Sequence, residues 1–304
     1  MEKQKYNSAV LSFLLIFIFS AELFSQKIDF FDKSDSLNIK RRNGVIITES
    51  ILAGGSLIAL NELWYSTYKQ SSFHFINDNK DWRQMDKMGH LMTSYYVGKV
   101  GMEVLDWAGV SKRDQLIYGA TFGFTFLTAV EVLDGFSKEW GASTGDIFAN
   151  VTGTGLLIGQ EILWNEQRIT VKYSFHQTRF AKMRPNTLGS NFLEQSLKDY
   201  NGQTYWLSVN IWSFDKDSNF PKWLNVAFGY GAEGMLYSET RSTNPISQDP
   251  YRQFYLSLDL DLTKINTNSK FLKTIFSVVN FIKIPSPTLE FNSKGDLIFH
   301  YLYF

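Results

Sequence analysis

The sequence of 304 residues contains no cysteine. This absence excludes disulfide bonds, thiolate metal ligands and cysteine nucleophiles. It also removes the lipid-modified cysteine of a lipoprotein, so the residues indicate a chain without that anchor. Histidine is scarce too, with four residues, and so few ligands do not suggest a structural zinc site. We therefore predict no metal and no cofactor.

Neither sign of charge is in excess, because 30 basic residues balance 30 acidic ones. Binding a polyphosphate usually needs a basic face, so nucleic acid is not expected as a partner. Aromatic residues are abundant instead, at 16 % of the chain. Amphipathic rings suit thick cores and membrane interfaces, where they lie at the level of the lipid headgroups. Membrane lipid is therefore the partner that the composition favours.

The N-terminus has the layout of an export signal. Lys3 and Lys5 precede an uncharged apolar stretch at residues 10–20, and the small residue Ser25 suits a cleavage site. This layout predicts a secretory signal peptide over residues 1–25, with an uncleaved anchor as the alternative. In either case we predict an exported protein of the cell envelope, at the outer membrane or on the periplasmic side of a membrane.

A polar lead-in at residues 26–43 precedes a predicted helical domain at residues 44–168. Its four segments of about twenty residues each would form helices near 30 Å long: residues 45–64, 87–108, 114–133 and 143–164. Their uncharged runs are shorter than the roughly 18 residues of a confident membrane span. These lengths fit two structures: a membrane bundle whose polar residues face inward, or a water-soluble bundle with a large core. Two G-x-x-x-G pairs, Gly119 with Gly123 and Gly155 with Gly159, favour close helix contacts and membrane association.

From residue 169 onward the hydrophobic period changes from 3.6 to 2, which predicts an antiparallel β-rich portion at residues 169–304. Alternation is clearest at residues 252–264, and a short helix is predicted at 270–281. The other predicted strands are residues 169–176, 204–214, 223–230, 288–291 and 296–304. Six strands are fewer than the roughly eight of the smallest outer-membrane barrels. The aromatic-rich terminal segment 298–304 is nevertheless typical of a last barrel strand, so a barrel-like closure stays open.

The predicted fold class is thus α+β: an N-terminal four-helix bundle that favours a membrane, followed by an antiparallel β-rich portion. Polar residues inside the apolar helices form the candidate site. Asp86 and His90 lie four residues apart and share a helix face. Asp146 and Asn150 share another face in the same way, and Glu131 ends the longest apolar run.

Each of these residues has a simpler explanation as well. Asp86 and Asp146 suit helix caps, where a carboxylate meets free backbone N–H groups. Glu131 is harder to explain, since a buried acid is costly unless it is paired, and His90 is its natural partner. The cluster is therefore either a structural ion pair between helices or a catalytic or ligand-binding centre. The other motifs give weaker evidence for a functional site. Residues 229–234 match G-x-G-x-x-G, but no helix follows, so we reject a dinucleotide site.

The same residues resemble a known family. The motif D-K-x-x-H at Asp86 to His90, then Glu131, then G-A-S-x-G-D-x-x-A-N ending at Asn150, resembles the YfiM-like predicted periplasmic proteins of unknown function. More distantly it resembles the VanZ-like membrane family, which is associated with glycopeptide-antibiotic resistance. The resemblance covers roughly residues 45–165. The β-rich tail looks like long forms from Bacteroidota-type envelopes, and the resemblance implies no particular chemistry.

Two functions follow as hypotheses. The first is a membrane-associated structural or lipid-interacting envelope protein with a buried His/carboxylate network. The alternative is an acid/base enzyme that uses His90 with Asp86, Glu131 or Asp146 on a lipid-linked or cell-wall substrate. The enzyme hypothesis is weakened because neither Ser94 nor Ser143 has a recognisable nucleophile setting.

Overall fold

The computed structural model describes residues 30–62, 69–238 and 249–304. The predicted signal peptide, residues 1–25, lies outside them. Residues 33–304 form one unit, to which all of the elements below belong. The α-helices in chain order are α1 (Ile39–Leu60), α2 (Met85–Trp107), α3 (Lys112–Asp114), α4 (Phe122–Gly135), α5 (Thr144–Trp164), α6 (Arg179–Met183), α7 (Pro185–Leu188), α8 (Phe192–Lys198) and α9 (Lys270–Val279). The strands are β1 (Phe75–Ile76), β2 (Ala142–Ser143), β3 (Ile169–Phe175), β4 (Gln203–Asn210), β5 (Leu224–Glu233), β6 (Tyr251–Leu260), β7 (Ser286–Asn292) and β8 (Leu297–Tyr303).

The long helices come first and an antiparallel sheet follows, which confirms the predicted α+β class. The first helix begins earlier than expected, inside the predicted polar lead-in. Asn38 explains the difference, because its side chain accepts a hydrogen bond from the Arg41 N–H at 3.1 Å and caps the helix there. The four-helix bundle is not confirmed, because α2, α4 and α5 pack together while Val45 is the one buried residue of α1.

Glycines set the spacing of the packed helices. A Cβ on Gly123 of α4 would lie 2.1 Å from the Ser94 carbonyl oxygen of α2, and one on Gly98 would lie 2.3 Å from the Ala120 carbonyl oxygen. Only glycine permits such backbone contact. The second predicted glycine pair behaves differently. Cβ atoms on Gly155 and Gly159 would meet nothing within 4 Å, so the expectation of a helix contact there is wrong within the described part of the chain.

Two helical stretches are long and apolar enough to cross a membrane. Ile39–Leu60 has a mean hydropathy of 1.5, with Val45 as its one buried residue. Lys112–Gly135 has a mean hydropathy of 1.6, and 28 % of its most apolar window is buried. Length and composition alone are weak evidence, since core helices pass the same test. The second stretch contains α4, which packs on α2 and α5. We therefore treat α4 as part of the helical core around the site.

Strands β3 to β8 form a six-stranded antiparallel meander in sequence order. Directly paired residues share a face of a sheet, so one row can be followed across all six strands: Val171, Leu207, Phe228, Leu256, Leu289 and Phe299. Val171 is 1 % exposed and packs on helix residues Tyr95 and Leu157. The other five members of the row are 39–54 % exposed. The apolar face of the sheet therefore continues beyond the area that the helices cover.

The opposite face of the sheet is buried and polar. Lys172 and Asp259 are each 0 % exposed and form an ion pair of 2.8 Å. The sheet curls so far that Tyr173 of β3 exchanges backbone hydrogen bonds with Phe281 and Lys283, just before β7. A water-soluble sheet normally buries its apolar face and exposes its polar one. Here most of the sheet does the reverse. The barrel-like closure stays a prediction.

Candidate functional site

Three helices and one loop bring the polar side chains together. The first turns of α2 carry Asp86, Lys87 and His90, α4 carries Glu131 near its end, and the start of α5 carries Asp146. The short parallel pairing of β1 with β2 places the loop after β1, with Asp78, beside the start of α5. Side chains from four separate segments thus meet at one end of the helical core.

Lys87 is surrounded by carboxylates. Its Nζ lies 2.7 Å from Asp78 Oδ1, 2.8 Å from Asp86 Oδ2 and 3.0 Å from Asp146 Oδ1. Burial lowers the pKa of Lys87, but the negative charges of Asp86 and Asp146 outweigh it and raise the pKa above its ordinary value. Lys87 therefore stays charged at neutral pH and holds this trio of acids together.

His90 faces a second group of acids. Its Nε2 lies 3.8 Å from Glu131 Oε1 and 3.9 Å from Asp146 Oδ1. On the other side of the ring, Nδ1 lies 3.2 Å from Asn150 Oδ1. An amide oxygen can only accept, so Nδ1 carries the proton in the neutral ring and the Nε2 lone pair points toward the carboxylates. The side chain of His90 is 23 % exposed, so solvent reaches it.

Glu131 is held by the backbone of the segment that opens α5. Its Oε2 accepts a hydrogen bond from the Ser143 N–H at 2.8 Å, and its side chain is 3 % exposed. Burial raises the pKa of Glu131 to about 8, with repulsion from Asp146 and Asp134 adding to it and the Ser143 hydrogen bond opposing it. Burial likewise raises the pKa of Asp86 to about 6. Both acids can therefore change protonation near neutral pH, as acid–base groups do.

A cavity of about 310 Å³ opens onto this cluster. Asp86, His90 and Asp146 line it from the helices, and Trp82 and Tyr200 line it with aromatic rings. The chain before α2 is strained beside the cavity. Trp82, with φ 48°, and the two residues after it, with φ 52° and 65°, all adopt left-handed backbone conformations. Such strain in non-glycine residues is costly and concentrates at functional sites.

The site contains all five residues that the sequence singled out. At the start of α5 the Ser143 hydroxyl caps the helix by accepting from the Asp146 N–H at 3.1 Å, with Asp146 in the first turn. The predicted cap by Asp86 is wrong, because Gln84 is the N-cap of α2 and makes no side-chain cap hydrogen bond. Ser143 donates its own proton to Asp78 Oδ1 at 2.6 Å. Ser94 is buried against Thr154 at 2.8 Å. Neither serine is therefore placed as a nucleophile on His90.

Sequence reasoning missed two members of the site. Asp78 lies in a polar loop that carries no recognisable motif, and its place beside Ser143 depends on the two-residue β1–β2 pairing. Lys87 belongs to the D-K-x-x-H motif, but the motif by itself indicates no role for it. Its place next to Asp86 in a largely apolar helix could have indicated its role, because a lysine that is buried needs a carboxylate partner.

A family model matches this part of the chain. Its description is "Predicted periplasmic lipoprotein (DUF2279)", and the match covers residues 73–159, which include all five predicted site residues. The match supports an uncharacterised family of periplasmic proteins and an exported, envelope location, as predicted. No curated protein matches the chain, and no solved structure does. With no cysteine in the sequence, the thioether anchor of a lipoprotein has no attachment point in these 304 residues.

Proposed function

We propose that this protein is a lipid-contacting protein of the cell envelope whose sheet lies against acyl chains. The observation that carries the proposal is the exposed apolar row across β4 to β8. A continuous apolar face above a buried polar face is the polarity of a sheet surrounded by hydrocarbon. Soluble monomers rarely expose such contiguous apolar surface. The proposed occupant is membrane lipid.

Helix α1 supports the same occupant. Its most apolar window has a mean hydropathy of 1.5, and Val45 is the one buried residue of the helix. Ile47, Ile51 and Ile58 are each 59–67 % exposed. A free helix with so much apolar surface would be unfavourable in water, at roughly 25 cal/mol per Å² of exposed apolar area. Contact with acyl chains removes that cost. The envelope location is where such lipid is found.

Membrane partition tests the proposal. Phe228, Leu256 and Leu289 are cross-strand neighbours on the exposed face, and a triple substitution of these residues to Ser removes three apolar side chains. We expect the wild-type protein to stay with envelopes after carbonate washing and to float with phosphatidylethanolamine/phosphatidylglycerol vesicles. The triple variant should be released and should float less.

The control and the alternative occupant follow from the same assay. Substituting the loop residues Asn266, Thr267 and Asn268 by Ser changes two exposed side chains and one half-buried side chain outside the apolar row, and should leave partition unchanged. Release of the wild-type protein together with a well-defined dimer in detergent-free solution would identify a second copy of the chain as the occupant. That result would overturn the lipid proposal.

The second candidate function is acid–base catalysis on a lipid-linked or cell-wall substrate. It is favoured by the partly exposed His90, whose Nε2 faces two carboxylates at the edge of the cavity. A neutral imidazole with a free Nε2 is suited to take a proton. Mass spectrometry of detergent-dispersed envelope lipids and peptidoglycan fragments, incubated with wild type or His90→Ala, tests this function. A product that forms equally with both proteins would remove His90 from the chemistry.

A further inference from the structure

We infer that His90, Glu131 and Asp146 form a binding site for one divalent transition-metal cation, with Zn²⁺ as the expected ion. The inference goes beyond lipid contact and does not depend on it. One ligand atom from each of the three residues lies within 4.8 Å of the others. A tetrahedral ion with bonds of about 2.0–2.2 Å separates its ligand atoms by about 3.4 Å. The closing movement that the three side chains need is therefore below about 1 Å each.

The second atom of each ligand group is already held by another partner. His90 Nδ1 is hydrogen-bonded to Asn150 Oδ1 at 3.2 Å, which leaves the lone pair of Nε2 available to a metal ion. Glu131 Oε2 is held by the Ser143 N–H at 2.8 Å, which leaves Oε1 on the His90 side. Metal-bound histidines nearly always donate their other ring N–H in this way, because the partner fixes the tautomer and the ring.

Asp146 supplies an independent observation. Its side chain is 9 % exposed, yet its Oδ1 accepts no hydrogen bond from the described residues. Lys87 Nζ lies 3.0 Å away at an ion-pair distance but without hydrogen-bond geometry, and it bonds to Oδ2 at 3.2 Å instead. A buried carboxylate oxygen rarely lacks donors. Oδ1 is the atom that points at the His90 group.

Charge distinguishes this site from the neighbouring one. A second trio, formed by Asp78, Asp86 and Asp146, has the same spacing, but the ammonium of Lys87 already lies among its oxygens. Around both trios four carboxyl groups face the single ammonium of Lys87, so three carboxylates oppose one positive charge even when Glu131 is protonated. The cluster therefore retains negative charge that a divalent cation would balance.

The ligand set also indicates the kind of ion and its role. One imidazole nitrogen with two carboxylate oxygens suits Zn²⁺ better than Mg²⁺ or Ca²⁺, which prefer oxygen alone. Three protein ligands beside a cavity leave a fourth position open to water or substrate, as in catalytic zinc sites. The sequence predicted no metal because it has four histidines and no cysteine. The three ligands come from three different helices and share no local motif that would have indicated this site.

Isothermal titration calorimetry tests the site. The full chain is treated with a chelator in detergent and then titrated with ZnCl₂. We expect one equivalent to bind, and His90→Ala and Asp146→Asn to weaken that binding at least about 100-fold. Asn150→Ala keeps all three ligands and should weaken it about 10–100-fold, the usual effect of losing an outer partner. His300→Ala is the matched control. His300 forms a similar histidine–glutamate pair with Glu290 at 2.8 Å but belongs to no three-ligand group among the described residues.

Absence of a stoichiometric equivalent, or equal affinity in wild type and His90→Ala, would overturn the inference. Should the His90 variant fail to fold, the wild-type protein loaded with Co²⁺ decides instead. Intense ligand-field bands of a four-coordinate nitrogen/oxygen site support the inference, and the weak bands of a six-coordinate aqua ion refute it. Both measurements are made in detergent, so failure of the lipid proposal would not alter their outcome.

Discussion

His90 and Asn150 are joined across two helices, from ring Nδ1 to side-chain Oδ1, at 3.2 Å. His300 uses the other ring nitrogen for its hydrogen bond, because its Nε2 lies 2.8 Å from Glu290 Oε2. Two histidines of one chain are therefore expected in opposite neutral tautomers. His90 presents a free Nε2 to the acids of the cavity, whereas His300 uses its Nε2 to bind an acid of the sheet.

This tautomer pair can be measured directly. We expect ¹⁵N NMR of histidine-labelled protein, recorded above the histidine pKa range, to show Nδ1–H for His90 and Nε2–H for His300. Asn150→Ala should shift His90 toward the Nε2–H tautomer, since the acceptor that favours Nδ1–H is gone, and should leave His300 unchanged. An unaltered His90 tautomer in that variant would show that Asn150 does not orient the ring.

Lys87 is expected to be a main source of stability at the site. Lys87→Met leaves Asp78, Asp86 and Asp146 without their shared cation, and breaking a buried ion pair costs about 3–5 kcal/mol. Lys99→Met is the matched control, because Lys99 pairs with the half-exposed Glu103 on the same helix and such pairs contribute about 0.3–0.5 kcal/mol. Urea unfolding in detergent measures both. Similar small losses in the two variants would contradict the proposed role of Lys87.

A pH dependence is expected from the sheet interior. Burial lowers the pKa of Lys283 to about 8 from 10.5, with Asp259 opposing the shift and Lys172 adding to it. Between those two values the unfolded state binds more protons than the folded state, so the free energy of unfolding should rise as the pH increases from about 8 to 10.5. Above pH 10.5 the contribution of neutral Lys283 to the free energy of unfolding is fully present, and it is lost as the pH falls through about 8.

Lys283→Met should flatten this rise and add at most about 3 kcal/mol to the free energy of unfolding at pH 7. The half-exposed Lys294 serves as the control position, and Lys294→Met should keep the wild-type pH profile. Denaturant titrations at pH 7, 8.5 and 10 give the pH profile of the free energy of unfolding for the wild type and for each of the two variants. A Lys283→Met profile parallel to that of wild type would mean that this amine is not the group responsible.

The two glycine pairs should respond oppositely to the same change. Gly123→Ala forces a methyl group to 2.1 Å from the Ser94 carbonyl oxygen, so helices α2 and α4 must separate and we expect a loss of about 1–3 kcal/mol. Gly155→Ala meets nothing within 4 Å and should gain up to about 1 kcal/mol from helix propensity. Thermal melts in detergent compare them. A destabilising Gly155→Ala would point to a contact that the single chain does not contain.

Local patterns were enough to predict most of the elements. The alternation in residues 252–264 corresponds to β6 at Tyr251–Leu260, and the helical period at residues 143–164 corresponds to α5 at Thr144–Trp164. Periodicity works in these cases because one face of each element is buried and the other is exposed. It did not reveal which face is buried. In β6 the polar residues such as Asp259 are inside and Leu256 is outside, which only the curl of the whole sheet decides.

The sequence by itself determined the order of helices and strands and the presence of acids and a histidine in apolar helices. These features depend on residues close together in the chain. The tertiary structure alone decided that Lys87 occupies one trio of acids and that His90 faces another, with Asp146 shared between them. Their contacts connect residues up to 59 positions apart, and such distances are set by helix packing at glycines rather than by any local pattern.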